Sequence, residues 1–181
     1  TMDFKGSGHA LVLVGDTGPE LGGSHLARHL GTLGTEVPPV DLETAPATLL
    51  TLHHLLNAGL AVASHDLSEG GLGVAAAEMG FAGGVGAEID LSKVPCRGEV
   101  DPLVRLYGES PTRFLLEVET DRLSEVEAAL GDIPHSVIGE TTEGDRFTVR
   151  DGDTSLLDQP IESLRQAFLG TLDFDRGEDA P

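Results

Sequence analysis

The 181-residue sequence has no tryptophan, one tyrosine, one cysteine and two methionines, and it sets 11 basic residues against 31 acids. With Cys96 alone, no internal disulfide forms and no cysteine-based zinc site can be assembled. A reducing, cytoplasmic setting is the simple expectation. The formal net charge of −20 and the lack of a basic stripe argue against nucleic acid and anionic membrane surfaces as partners. So acidic a surface is also what a salt-rich cytoplasm would favour. No apolar run approaches the length of a membrane span, and the opening TMDFKGSGHA has neither the basic flank nor the apolar core of a signal peptide. An anionic ligand would therefore depend on local backbone N–H groups or a few placed arginines.

What is present is an alternation of apolar runs and capped amphipathic segments. Ala10 to Val14 reads as a buried strand, followed by a glycine-rich loop and a short helix. PATLLTLHHLLNAG has Pro46 in its first turn, Gly59 past its end, and Leu49, Leu52 and Leu56 as its apolar stripe. LNAGLAVA reads as the next strand, and Leu72, Ala75, Ala76 and Met79 are spaced for one helix face. VGAEIDL, EVDPLVRLYG and TRFLLEVE follow as strand, helix and strand. TDRLSEVEAALG is a helix for which Thr120 or Asp121 offers the cap. HSVIGE, RFTVR and TSLLD are short strands separated by TTEGD and DGD, hairpin turns in composition, before a last helix that starts at Pro160. The order β-α-α-β-α-β-α-β-α-β-β-β-α predicts an α/β (α+β) sandwich with a mixed β-sheet packed with helices. Its length suits one domain with a short tail.

Three segments could carry chemistry. In GDTGPELGGS, Gly18 and Gly23 have P-loop spacing, but Ser24 stands where the lysine belongs, and no G-x-G-x-x-G is present. What remains is Gly22, Gly23 and Ser24 at a helix start, where a phosphate could approach the backbone, or a plain turn with an N-cap serine. Gly22 is read as a special backbone position. In SHDLSEGGLGVAAAEMG a strand hands over to a helix. Asp66, Ser68 and Glu69 could bind a metal-phosphate or cap the helix, and Gly70 and Gly71 would permit close approach. His65 and Asp66 are adjacent and, on extended backbone, point apart. In YGESPTRF, Glu109 and Ser110 could hold a ribose or an amide, and Arg113 could clamp an anion or lie on a solvent face. His25, His29, His53 and His54 read as surface residues, with no carboxylates at ligand spacing; no metal site is expected.

LVGDTGPELGGS, SHDLSEGGLGVAAAEM, YGESPTRFLLEV and IGETTEGDRFTV, in that order, resemble the C-terminal domain of phosphoribosylformylglycinamidine synthases, in the aminoimidazole ribonucleotide synthetase superfamily. The resemblance runs from His9 to Gly170. It implies a domain over 9–170, a lead-in over 1–8 and a polar tail over 171–181. The ELGGS-type loop and the H-D-x-S-E-G-G-L pattern resemble the second of the two homologous halves of that family. The implied activity is an ATP-dependent ligation, in purine biosynthesis, that converts formylglycinamide ribonucleotide and glutamine-derived ammonia to the amidine. ATP and magnesium would serve the full enzyme, and none is assigned to this domain. The implied partners are the N-terminal domains of the same enzyme, a glutaminase and a small accessory subunit. No catalytic residue is implied here. Glu109 and Ser110 would be second-copy counterparts of a substrate-touching loop. With Gly22, Gly23, Ser24, Asp66, Ser68, Glu69, Gly70, Gly71 and Arg113 they would line an auxiliary phosphate or interface site. Pro111 departs from the glutamine common in the family. The other reading is a non-catalytic phosphate- or nucleotide-binding scaffold module of the same fold.

Overall fold

The computed structural model describes residues 1–34 and 36–170, so the expected tail over 171–181 lies outside the described residues. Strands β1 (Ala10–Val14), β2 (Ala63–Asp66), β3 (Gly86–Asp90), β4 (Phe114–Val118), β5 (His135–Thr142), β6 (Arg146–Asp151) and β7 (Thr154–Pro160) form one sheet in the order β2-β4-β1-β5-β3-β6-β7. Among these strands the β3–β6 pairing is parallel and the others are antiparallel. Helices α1 (His25–His29), α2 (Ala45–Asn57), α3 (Gly71–Gly83), α4 (Pro102–Tyr107), α5 (Leu123–Leu130) and α6 (Ile161–Gly170) complete the fold. The mixed sheet with helices on both faces is the expected sandwich, and the elements follow in the expected order.

All five residues of β1 are buried because the strand is central and covered on both sides. Leu11 and Leu13 face α3, α4 and α6, whereas Val12 and Val14 face α2 and α5. The composition of α3 follows from its position beneath two other helices. A Cβ at Gly73 would press on Leu106 and Tyr107 of α4, and one at Gly83 would run into the Phe4 backbone. Glycine and alanine let those chains approach closely.

Several local expectations differ from the fold. The buried face of α2 is Ala45, Thr48, Leu52 and Leu55, and Leu49 and Leu56 are 50% and 39% exposed. Leucines at 49, 50, 52, 55 and 56 surround the helix, so the pattern alone leaves the stripe ambiguous. Strand β2 begins at Ala63, later than LNAGLAVA suggests, and includes His65 and Asp66. Neither Thr120 nor Asp121 caps α5: its N-cap is Arg122, after a 3₁₀ turn, and the Thr120 hydroxyl donates to the Gly8 carbonyl. TTEGD is not a hairpin turn, because β3 lies between β5 and β6. The Gly144 carbonyl in this connection accepts from Gly86 N–H at the start of β3. DGD does close a hairpin, with Asp151 opposite Thr154.

Candidate functional site

The three glycine- and hydroxyl-bearing segments meet at the end of the sheet where β1 finishes and β4 begins. From β1 the chain enters a loop in which Gly18 N–H donates to Ser110 Oγ at 2.9 Å. Gly22 N–H donates to the Glu36 carbonyl at 2.7 Å, and a Cβ at Gly22 would collide with that backbone. Gly22 thus owes its identity to close approach rather than to an unusual backbone angle; the positive φ belongs to Gly23, at 78°. Ser24 is buried and caps α1, its Oγ accepting from Ala27 N–H at 3.1 Å and donating to the Leu21 carbonyl at 2.8 Å.

The second segment turns sharply between β2 and α3. Gly70 and Gly71 have φ of 78° and 60°. In this left-handed region a side chain is unfavourable, and a Cβ at Gly71 would also strike the Gly108 carbonyl. Ser68 and Glu69 do not cap α3; the N-cap is Gly70, without a side-chain bond. Ser68 Oγ instead donates to Asp66 Oδ2 at 2.5 Å, which holds the Asp66 carboxyl below its ordinary range. Both side chains, and Glu69, are exposed. His65 Nε2 lies 2.9 Å from Glu78 Oε2. Its Nδ1 comes within 3.5 Å of Asp66 Oδ1 and within 2.7 Å of the Asp66 carbonyl oxygen, so the adjacent pair is closer than extended geometry suggests.

The third segment ties these two together. One oxygen of Glu109, Oε1, accepts from Gly70 N–H at 2.8 Å and from His25 N–H at 2.9 Å. The N–H groups at the starts of α1 and α3 thus converge on a carboxylate of the chain itself, in the manner expected for an anion at a helix start. Arg113 is 1% exposed, on neither a solvent face nor an open clamp. Its Nη1 donates to Thr17 Oγ1 at 2.8 Å, its Nε to the Ser110 carbonyl at 3.1 Å, and its Nη2 to the Gly108 carbonyl. Burial lowers its pKa to about 10, which leaves it cationic at neutral pH. Thr112, at φ 58°, is the non-glycine residue held in the left-handed region among those described.

Glu109 therefore joins the helix start after Gly22–Ser24 to the Gly70–Gly71 turn, Ser110 and Arg113 hold the β1 loop at Gly18 and Thr17, and Asp66 borders a separate groove with Thr1, Leu52 and Phe114. The hydroxyls of Ser24 and Ser68 are engaged in a cap and a turn, and burial raises the Cys96 thiol, so it stays protonated. Ser68, Asp66, His65 and Glu78 stand in contact on the turn, but the Ser68 hydroxyl donates to a carboxylate and not to an imidazole. Among the described residues, no three His, Cys, Asp or Glu side chains are grouped to hold a metal, and no helix is long and apolar enough to cross a membrane. Two residues that matter were not singled out in the sequence. Thr17 is fully buried as an acceptor for Arg113. Glu117 is fully buried at the opposite end of β4. The alternation of TRFLLEVE carried a signal for Glu117, since it places that acid on the same face as buried Leu115.

Comparison with known proteins matches residues 6–152 to the family of AIR synthase related proteins, C-terminal domain, and the chain belongs to that family. A curated relative from Thermococcus sibiricus, phosphoribosylformylglycinamidine synthase subunit PurL, is 39% identical over 143 residues, covering 79% of this chain and 20% of the relative. The PurL subunit of Moorella thermoacetica is 38% identical over 167 residues, covering 90% of this chain and 22% of the relative. The chain thus spans about a fifth of these relatives' length. Among solved structures, T. maritima PurL complexed with FGAR aligns with a TM-score of 0.79 at 22% identity, over 90% of this chain and 28% of that one. The hydrogenase maturation protein HypE of E. coli shares the fold more loosely, with a TM-score of 0.62 at 22% identity, over 88% of this chain and 50% of that one.

Proposed function

We propose that this chain is the C-terminal domain, from the second half, of a phosphoribosylformylglycinamidine synthase, working within a larger cytoplasmic ATP-dependent ligase of purine biosynthesis. The carrying observation is the 38–39% identity to PurL subunits over most of the chain. In this reading the enzyme joins glutamine-derived ammonia to formylglycinamide ribonucleotide, and the chemistry and its magnesium belong to other domains. The described carboxylates here do not group as a metal site. The domain contributes a rigid wall. Gly22, Gly23, Ser24, Gly70, Gly71 and Glu109 form an auxiliary phosphate or interface surface, with Asp66, Ser68 and Glu69 on its exposed turn and Ser110 and Arg113 bracing it. Exposed Leu30, Leu33, Val37, Val40 and Leu42 support a covering neighbour, since scattered single apolar residues are ordinary but a run of them is not. That neighbour is an N-terminal domain of the same enzyme, with a glutaminase and a small accessory subunit completing the complex; a T. maritima PurLQS structure is among those sharing this fold.

The coding sequence upstream of residue 1 should continue into further domains. The isolated chain should form no amidine from formylglycinamide ribonucleotide, ATP and ammonia. Turnover by the chain alone would overturn this division of roles. In calorimetry with ATP, ADP and the ribonucleotide, tight metal-independent binding to the isolated chain would favour the scaffold-module reading instead.

A further inference from the structure

Glu117 is a buried charge that takes no part in the candidate site. Its side chain is fully buried on the face of β4 that otherwise meets α3, α4 and α6. Every bond it accepts comes from residues 1–9. Lys5 N–H donates to both oxygens, at 3.0 and 2.8 Å, and Gly6 N–H to Oε1 at 3.2 Å. His9 Nδ1 lies 2.7 Å from the same Oε1. Two successive backbone N–H groups around one anion make a nest. The segment is packed onto the domain. Phe4 is 2% exposed and its N–H donates to the Met79 carbonyl at the end of α3. Gly8 N–H donates to the Thr141 carbonyl, and the Thr1 carbonyl accepts from Ser64 N–H at 3.3 Å on the outer edge of β2.

We propose that residues 1–9 form a releasable strap, docked by the Glu117 carboxylate, whose docking holds the β2 edge and through it the turn bearing Asp66 and Ser68. An apolar residue at 117 would be at least as stabilising if filling the core were its only task, because burying a charge is costly. A carboxylate differs in having two satisfied states: bonded to the strap's N–H groups, or hydrated once the strap lifts. The strap's far end reaches Ser64, two residues before Asp66, so its release frees an edge N–H directly upstream of the turn. Thr1 and Met2 also line the groove that Asp66 borders. This device goes beyond the proposed function and does not rest on it.

Native-state hydrogen exchange on the 181-residue chain tests it. Lys5, Gly6 and Ser64 amides should open together in one step that leaves the Val12 and Leu116 amides protected. In Glu117→Leu, the three strap-linked amides should exchange about tenfold faster or more while Val12 and Leu116 keep the parent rates. Glu117→Gln, nearly isosteric with one acceptor oxygen retained, should show the same pattern more weakly. If the three amides of the parent exchange only through global unfolding, the strap is a fixed part of the core and the proposal fails. Faster exchange at Lys5 and Gly6 with Ser64 unchanged would equally overturn the coupling to β2.

Discussion

The two ends of β4 each bury one charged side chain, Arg113 just before the strand and Glu117 within it, and the two ions solve opposite problems. At the loop end the neighbouring backbone offers carbonyls, from Gly108 and Ser110, and a guanidinium satisfies both along with the Thr17 hydroxyl. At the strap end the backbone offers N–H groups, from Lys5 and Gly6, and a carboxylate takes them. The sign of each buried charge follows the polarity of the orphaned backbone around it, because unpaired buried groups are costly. The difference in consequence is one of release. The Arg113 guanidinium ties the β1 loop at Thr17 to its own packed loop at Gly108 and Ser110, whereas Glu117 holds the single segment of residues 1–9.

The largest effect expected at the loop end is that of Arg113→Leu. Removing the guanidinium strands two carbonyls and a buried hydroxyl, and urea unfolding should show a loss of about 3–5 kcal/mol. Arg113→Lys should recover only part of that, since a single ammonium cannot reach three diverging acceptors. A loss under about 1 kcal/mol would mean that the loops pack without their brace.

Gly71→Ala comes next, at about 2 kcal/mol, because it combines a left-handed φ with a clash at the Gly108 carbonyl. Gly23→Ala shares the positive φ but has open space around it, so about 1 kcal/mol is expected. Equal effects on the thermal midpoint at the two positions would remove close approach from the account of the turn.

Glu109→Ala should cost about 1 kcal/mol, smaller because the freed N–H of His25 lies in an exposed contact that water can take over and only that of Gly70 is left in a buried residue. Its amides should lose protection at 25 and 70 but not at 18, where Ser110 is the acceptor. Protection lost at 18 as well would show that the two acceptors act as one unit.

The smallest effect concerns the surface of α6, far from either end of β4. Hydrogen bonds from Arg165 and then Gln166 hold the Glu162 carboxyl at about 2, below its ordinary 4.5. A lowered acid stabilises the fold above its unfolded pKa, and that contribution fades as pH falls through the folded value. A carboxyl-carbon NMR titration should place Glu162 near 2, and Arg165→Ala should bring it back towards 4.5.

The order of strands and helices was legible because apolar period, glycine stops and proline starts are local, and each acts within one turn or strand. Ala10–Val14, the α3 face and the DGD hairpin follow from that alone. The family resemblance likewise lies in short ordered motifs. Which leucines of α2 turn inward, and that β3 separates β5 from β6, were decided by tertiary pairing, since the local patterns suit more than one partner. The same holds for the site. The glycine turns could be read as anion cradles, but only the fold brings Glu109 from 39 residues beyond Gly70 and 84 beyond His25 to take their N–H groups. Strand alternation puts Arg113 and Glu117 on the face of Leu115, but it does not say that their charges can stay there, because the acceptors and donors that make burial tolerable come largely from distant segments that meet only when the sheet closes.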